Sequence, residues 1–343
     1  MTANLPDRQQ ILEMMSGFRP ACVLGTAAEL DVWTALGERS LSAQQLAGEL
    51  DADLRALTTL LDAVAVVQLL DKQDGRYSVP LPLRGWLTEG GEQTILPMLR
   101  HSMNCLRNWS QLAWVTKAGF PGPHTASIRG FEADRAAFIA GMHAISAPMA
   151  DELIARLGPP RFQHLLDVGG ASGTWTLAFL RAVPGSTAPI FDLPDAIQQA
   201  HERLSGTEFA ARVTLVAGDF YVDDLPTGAD YAWVSAIAHQ HSRQHNRALF
   251  AKVFAALQGG GRIGIRDVVM EPCRTRPPEG ALFAVNMLVN TASGGTFTLA
   301  EFAEDLRAAG FVEPVLRIED PRMNSVVEAE KRASVSLGSR EAG

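Results

Sequence analysis

The 343-residue sequence predicts an α/β protein, with a mainly helical, winged-helix-like domain over residues 1–104 and a helix-covered parallel sheet over residues 105–343. Three observations point there. Apolar residues recur at helical spacing through the first seventy residues, which then lead into a short hairpin. From about Phe162, short apolar runs alternate with amphipathic helical runs, the pattern of parallel strands buried on both faces. The first of those runs ends in Asp167-Val168-Gly169-Gly170-Ala171-Ser172-Gly173, a glycine-rich turn between a strand and a helix.

Composition narrows the function classes. With 47% apolar and 20% charged residues, the chain can bury a sizeable core, which excludes a wholly disordered protein. No run of about 18 apolar residues occurs, so no membrane-spanning helix is expected. The opening MTANLPDRQQ is polar and lacks the apolar stretch of a secretion signal. Cys22, Cys105 and Cys273 lie too far apart for a disulfide framework or a metal finger, so a reducing cytoplasm is the expected location. A net charge of -8 argues against a nucleic-acid partner, because phosphate contacts need clustered Lys and Arg.

In chain order, Ile11, Met14, Met15, Val23, Leu24, Ala27, Leu30, Val32 and Leu36 share helical spacing, and Pro20 permits a helix start, giving two helices. Ser42 is placed to cap a short helix through Leu50. LRALTTLLDAVAVVQLL follows Asp51 as the next helix, and KQDGRYSV reads as a hairpin turning at Asp74-Gly75. That order is a winged helix. Between Ser40 and Leu70, however, Arg55 faces Glu49, Asp51, Asp53 and Asp62, a balance that repels phosphate. A dimerisation module is the better reading than a DNA-binding regulator. The apolar surplus of Ile11, Met14, Val23, Leu24 and Leu30 points to a homodimer.

Residues 105–160 read as connecting helices with a loop at PGPH, 121–124. HLLDV is the first strand of the second half and ASGTWTLAFLRAV its helix. API, VTLVAG and YAWVSAI are the next strands, with a helix from Pro194 to about Leu204 between the first two. A helix from Ser242 to Leu257 is expected to stop at Gly259–Gly261. GRIGIRDVV is the fifth strand and EFAEDLRAAGF a further helix.

The glycine turn lets a ligand approach the backbone closely, yet it is neither a Walker loop nor a full G-x-G-x-x-G. Asp192 ends the next strand, where a carboxylate can hold two ribose hydroxyls. Asp219, in Gly218-Asp219-Phe220, can accept from an exocyclic adenine amine while Phe220 packs on the ring.

With these residues, and with FDLPDAI, RVTLVAGDF, DYAWVSAIAHQHS and GGRIGIRDVV, the sequence resembles the class I S-adenosylmethionine-dependent small-molecule O-methyltransferases of the caffeic acid and hydroxyindole type. LSAQQLAGELDADLRALTTLLDAVAVVQLL and DGRYSV resemble that family's amino-terminal dimerisation domain. The likeness runs from about Ile11 to Glu330 and implies a Rossmann-like, doubly wound sheet with S-adenosyl-L-methionine as cofactor. It places Ser146, Gly169, Asp192, Asp219, Phe220 and Ser235 at the cofactor; relatives often carry Lys at the Ser235 position. It places Phe138, Met142, Met287 and Asn290 near the acceptor, although core packing alone would account equally for Phe138, Met142 and Met287. It makes His239 the general base that deprotonates an acceptor hydroxyl, with Asp267, 28 residues on, as its carboxylate partner.

Several positions depart from the family pattern. The second acid expected beside the base is absent from Gly294-Gly295-Thr296-Phe297-Thr298. The usual Asp and Trp after the histidine are Gln240 and His241. His245 lies four residues after His241 and would share its helix face if that helix began at Ser242. The alternatives these departures raise are C- or N-methylation, with or without a transition metal shared by His239 and His241, and a diverged member that binds the cofactor but performs non-methylating chemistry such as hydroxylation or decarboxylation. No third ligand can be named, and no metal is expected.

Overall fold

The structure is a computed structural model in which residues 5–158 and 161–333 are described. Two compact units emerge: residues up to Arg107 together with His124–Ile145, and Asn108–Pro123 together with the chain from Ser146 onward.

In the first unit the two expected leading helices are three: α1 (Arg8–Ser16), α2 (Phe18–Glu29) and α3 (Val32–Leu36). The break falls at Gly17, and Pro20 sits in the first turn of α2, where a missing N–H costs no intrahelical bond. Asp31, at φ 59°, turns the chain between α2 and α3. After β1 (Leu41–Ser42), α4 (Ala43–Glu49) begins as expected: Ser42 Oγ accepts from Gln45 N at 3.2 Å, and the Gln45 side chain accepts from Ser42 N at 3.0 Å. Next, α5 (Leu54–Val66) is capped by Asp53 and ends before Gln68, which takes a left-handed φ of 62°. The hairpin of β2 (Asp71–Gln73) and β3 (Arg76–Ser78) turns through left-handed Asp74 and Gly75. Short α6 (Arg84–Leu87) and α7 (Leu96–Trp109) follow. Trp33, Leu36, Leu46, Leu61 and Tyr77 form the core, whereas α1 buries no residue and exposes Ile11, Leu12, Met14 and Met15.

The second unit takes α8 (Leu112–Ala118) and the carboxyl-terminal part of the long helix α9 (Gly130–Leu157). Then β4 (Leu165–Val168), α10 (Thr174–Ala182), β5 (Ala188–Asp192), α11 (Pro194–Leu204), β6 (Val213–Ala217) and β7 (Ala229–Ser235) alternate in the expected order. They are followed by α12 (Arg243–Ala256), β8 (Leu257–Asp267), β9 (Val269–Met270), α13 (Pro278–Asn290), β10 (Phe297–Thr298), α14 (Leu299–Ala308), β11 (Val312–Ile318) and β12 (Ser325–Glu330). The main sheet runs β11-β12-β8-β7-β4-β5-β6. Strands β4 to β8 are mutually parallel, so their carboxyl ends, where such sheets bind ligands, lie along one edge.

Two expectations change. The glycines Gly259–Gly261 do not end the preceding helix; they lie inside β8, where Gly260 N donates to Lys331 O at 2.8 Å and Lys331 N to Gly261 O at 2.8 Å. Helix α12 stops at Ala256 because Leu257 is already extended. The sheet is also not wholly parallel: β12 runs antiparallel to β8, and β11 to β12.

Candidate active site

The site is built from residues at the carboxyl ends of the parallel strands. Gly169 follows β4 with φ 69°, a left-handed conformation that favours glycine, and a Cβ there would lie 2.5 Å from Ile237 Cδ1, which would have to shift. At the end of β5, the Asp192 carboxylate braces the turn: Ala171 N donates to its Oδ2 and Leu193 N to its Oδ1, both at 2.7 Å. Burial lifts its pKa above the ordinary carboxylate value, against the pull of those two N–H groups. After β6, Asp219 Oδ1 accepts from Tyr221 N at 2.8 Å, and the half-buried Phe220 ring tilts against Tyr221 with 5.1 Å between centroids.

Beneath the glycine turn lies fully buried Asp167. Its Oδ2 accepts from Thr176 Oγ1 at 2.5 Å, while Oδ1 has no hydrogen-bond partner among the described residues. Burial pushes its pKa up to about 7. The open oxygen and the glycine cradle fit a ligand that carries hydrogen-bond donors or positive charge, as S-adenosylmethionine does. In its absence, the folded protein binds a proton at Asp167 between about pH 4 and 7 that the unfolded chain releases. Stability therefore falls as pH rises through that window, by up to about 4 kcal/mol. Asp167→Asn is expected to flatten that slope in denaturant titrations at pH 4.5 and 7.5; an unchanged slope would contradict it.

His239 follows β7 in a short helical turn and is buried. Its Nδ1 pairs with Asp267 Oδ1 at 2.9 Å, and its backbone N donates to Asp267 Oδ2 at 3.1 Å. Val268 N donates to the same Oδ1 at 2.7 Å, leaving the carboxylate immobile. With Nδ1 as the donor, Nε2 keeps its lone pair and has no hydrogen-bond partner among the described residues. Phe283 of α13 meets the imidazole edge-on at 4.8 Å. Gly295 N donates to His239 O at 2.8 Å, and a Cβ on Gly294 would lie 2.4 Å from that oxygen. The segment without the second acid therefore serves as a backbone clamp on the histidine.

The expected helix-face pairing of His241 and His245 does not occur. His241 is extended and precedes the Ser242 cap, while His245 lies in the first turn of α12. Tyr221 meets both rings edge-on instead, and its hydroxyl bonds His241 Nδ1. Burial, with His245 and His239 nearby, lowers the His241 pKa to about 4. No group of three or more His, Cys, Asp or Glu side chains gathers in metal-binding fashion among the described residues.

The remaining residues divide between the units. Ser146, Ser235, Met287 and Asn290 belong to the second unit, Phe138 and Met142 to the first. Ser146, Ser235 and Met287 are buried. Asn290 is engaged with neighbours: Asn108 Nδ2 donates to its Oδ1 at 2.7 Å, and its own Nδ2 donates to Asn286 O at 2.7 Å. Phe138 tilts against His101 at 5.0 Å. The sequence reading missed Tyr221, Phe283, Asn286 and Arg266, whose neighbours come from distant segments.

The O-methyltransferase domain matches residues 103–312 and the O-methyltransferase dimerisation domain residues 12–79. The chain is 27% identical over 327 residues to 3-hydroxy-5-methyl-1-naphthoate 3-O-methyltransferase of Streptomyces sahachiroi, covering 94% of each chain. It is 28% identical over 333 residues to acetylserotonin O-methyltransferase of Gallus gallus, covering 92% of this chain and 95% of that one. The fold matches human N-acetylserotonin methyltransferase in complex with S-adenosylmethionine with a TM-score of 0.80, at 22% identity over 97% of this chain and 100% of that one. No helix among the described residues is long and apolar enough to cross a membrane. The chain belongs to the O-methyltransferase family and is an S-adenosylmethionine-dependent O-methyltransferase.

Proposed function

We propose that the enzyme methylates a hydroxyl of a small aromatic or polyketide-like acceptor, with His239 as general base and Asp267 as its positioning partner. The buried His239–Asp267 pair carries this reading. Asp267 Oδ1 accepts a hydrogen bond from Nδ1–H at 2.9 Å, fixing the tautomer and leaving Nε2 as the acceptor. A phenol of pKa about 10 is a poor nucleophile while protonated, and an imidazole held by Asp267 presents a basic nitrogen to its proton. The naphthoate and acetylserotonin relatives support this acceptor class.

Gly169, Asp192, Asp219 and Phe220 are the residues we assign to the cofactor, with Ser146 and Ser235 nearby. Bound S-adenosylmethionine supplies an electrophilic methyl group on a positively charged sulfur. The chain's own contribution is position: Asp192 and Asp219 anchor, and His239 orients and deprotonates, so that reacting atoms meet at about 3–3.5 Å. We assign Met287 and Asn290 to the acceptor. Transfer of labelled methyl to a panel of phenols, amines and carbon acids tests the reaction. O-methyl products are expected; exclusive N- or C-methylation would overturn the reading.

We further assign residues 1–104 to homodimer formation. The exposed apolar side chains of α1, with Met14 at 70% and Met15 at 76% exposure, support this, as does the acidic run from Glu49 to Asp53, which disfavours nucleic acid. Met14→Asp combined with Ile11→Asp is expected to shift a micromolar sample from dimer to monomer in sedimentation. A monomeric wild type would contradict the assignment.

A further inference from the structure

One buried cation has no role in the chemistry above. Arg266 of β8 is 4% exposed and lies opposite Ser235 of β7. Its Nε and Nη2 donate to Asn324 Oδ1 at 3.0 and 2.7 Å, and Nη1 donates to Ser235 Oγ at 3.2 Å. Its Cζ lies 4.5 Å from the centroid of the Trp175 ring. These bonds use three of the five guanidinium N–H groups. The other two have no partner among the described residues, and no carboxylate there lies within ion-pairing distance. Burial lowers the group to about 10, while Asp267 and Asp320 oppose that from a distance. A buried charge without a counter-ion is costly, so the arrangement calls for an anion.

Its place in the fold says which anion. Val234, next to Ser235, pairs with Val168, the residue before Gly169, so Ser235 ends β7 beside the glycine turn. Trp175 is the second residue of α10, the helix that opens directly after that turn. The free guanidinium donors therefore lie by the glycine turn and a helix start, whose own N–H groups favour negative charge. Along the sheet, Asp192 is one strand to one side of β4 and Arg266 two strands to the other. A ligand whose ribose binds Asp192 would direct its remaining end toward Arg266. Ser235 has a neutral hydroxyl and supplies no charge itself, and Arg266 brings a cation to that hydroxyl.

We propose that Arg266 binds the α-carboxylate of the methionyl part of S-adenosylmethionine, an inference that rests on the cofactor assignment above. Calorimetry on the full-length protein, comparing S-adenosylmethionine with its decarboxylated analogue, tests it. Wild type is expected to favour the intact cofactor by about 10–100-fold, the range of a charge-assisted hydrogen-bonded pair. Arg266→Met should remove that preference, weakening S-adenosylmethionine by this factor and leaving the analogue within about twofold. Arg266→Lys should retain part of it. Equal weakening of both ligands would mean a structural role only and would overturn the proposal, as would no weakening of either. Should Arg266→Met fail to fold, Arg266→Gln keeps a donor for Ser235 or Asn324 and reads the same ratio. Failure of the cofactor assignment shows separately, as a wild type that binds neither ligand.

Discussion

Replacing His239 with glutamine is expected to lower turnover by about 10²–10⁴-fold while leaving S-adenosylmethionine affinity within about twofold. Glutamine can still donate to Asp267, but it offers no basic nitrogen to an acceptor hydroxyl. Gly169, Asp192 and Asp219, which we assign to the cofactor, lie at the ends of other strands and are untouched by the change. Asp267→Asn should act in the same direction, because Oδ1 then no longer serves both His239 Nδ1 and Val268 N as an anion. His241→Ala should be mild, since that ring is bonded to Tyr221 and not to Asp267. Steady-state kinetics on the three variants check this; near-normal turnover of His239→Gln would contradict the assignment of the base.

Asp192→Ala is expected to weaken both S-adenosylmethionine and S-adenosylhomocysteine by at least about 100-fold. Two hydrogen bonds to a charged acceptor are lost, each worth about 1.5–3 kcal/mol. The same substitution frees Ala171 N and Leu193 N, which the carboxylate now holds at 2.7 Å, so the glycine turn also loosens. Asp192→Asn keeps one carbonyl oxygen for these partners and should fall between the alanine variant and wild type. Calorimetry reads all three, and unchanged affinity in Asp192→Ala would remove the site assignment.

The parts of this molecule legible in the sequence are those whose determinants are local. Ser42 with Gln45, Asp74 with Gly75, and the glycine turn after Val168 each specify their geometry within a few residues. The run Gly259–Gly261 misled because its glycines serve strand pairing with Lys331, about seventy residues away. The antiparallel strands β11 and β12 were not anticipated. In β11, side chains alternate between half-buried and exposed, without the continuous apolar run of the parallel strands. Within the site, His239 and Asp267 are what the family resemblance implies, and the structure pairs them at 2.9 Å. The clamp of Gly294 and Gly295 on His239 O, the Tyr221–His241 bond and the unpaired Arg266 depend on contacts between elements, which no single stretch of sequence encodes.

We propose that the glycine turn, Asp192 and Asp219 present a methyl donor to the Nε2 side of His239. A crystal structure with S-adenosylhomocysteine and an acceptor phenol tests it most directly. Ribose hydroxyls are expected on Asp192, the adenine amine on Asp219, and the acceptor oxygen hydrogen-bonded to His239 Nε2 and facing the sulfur. An acceptor oxygen out of reach of His239, or a ribose that does not touch Asp192, would contradict it.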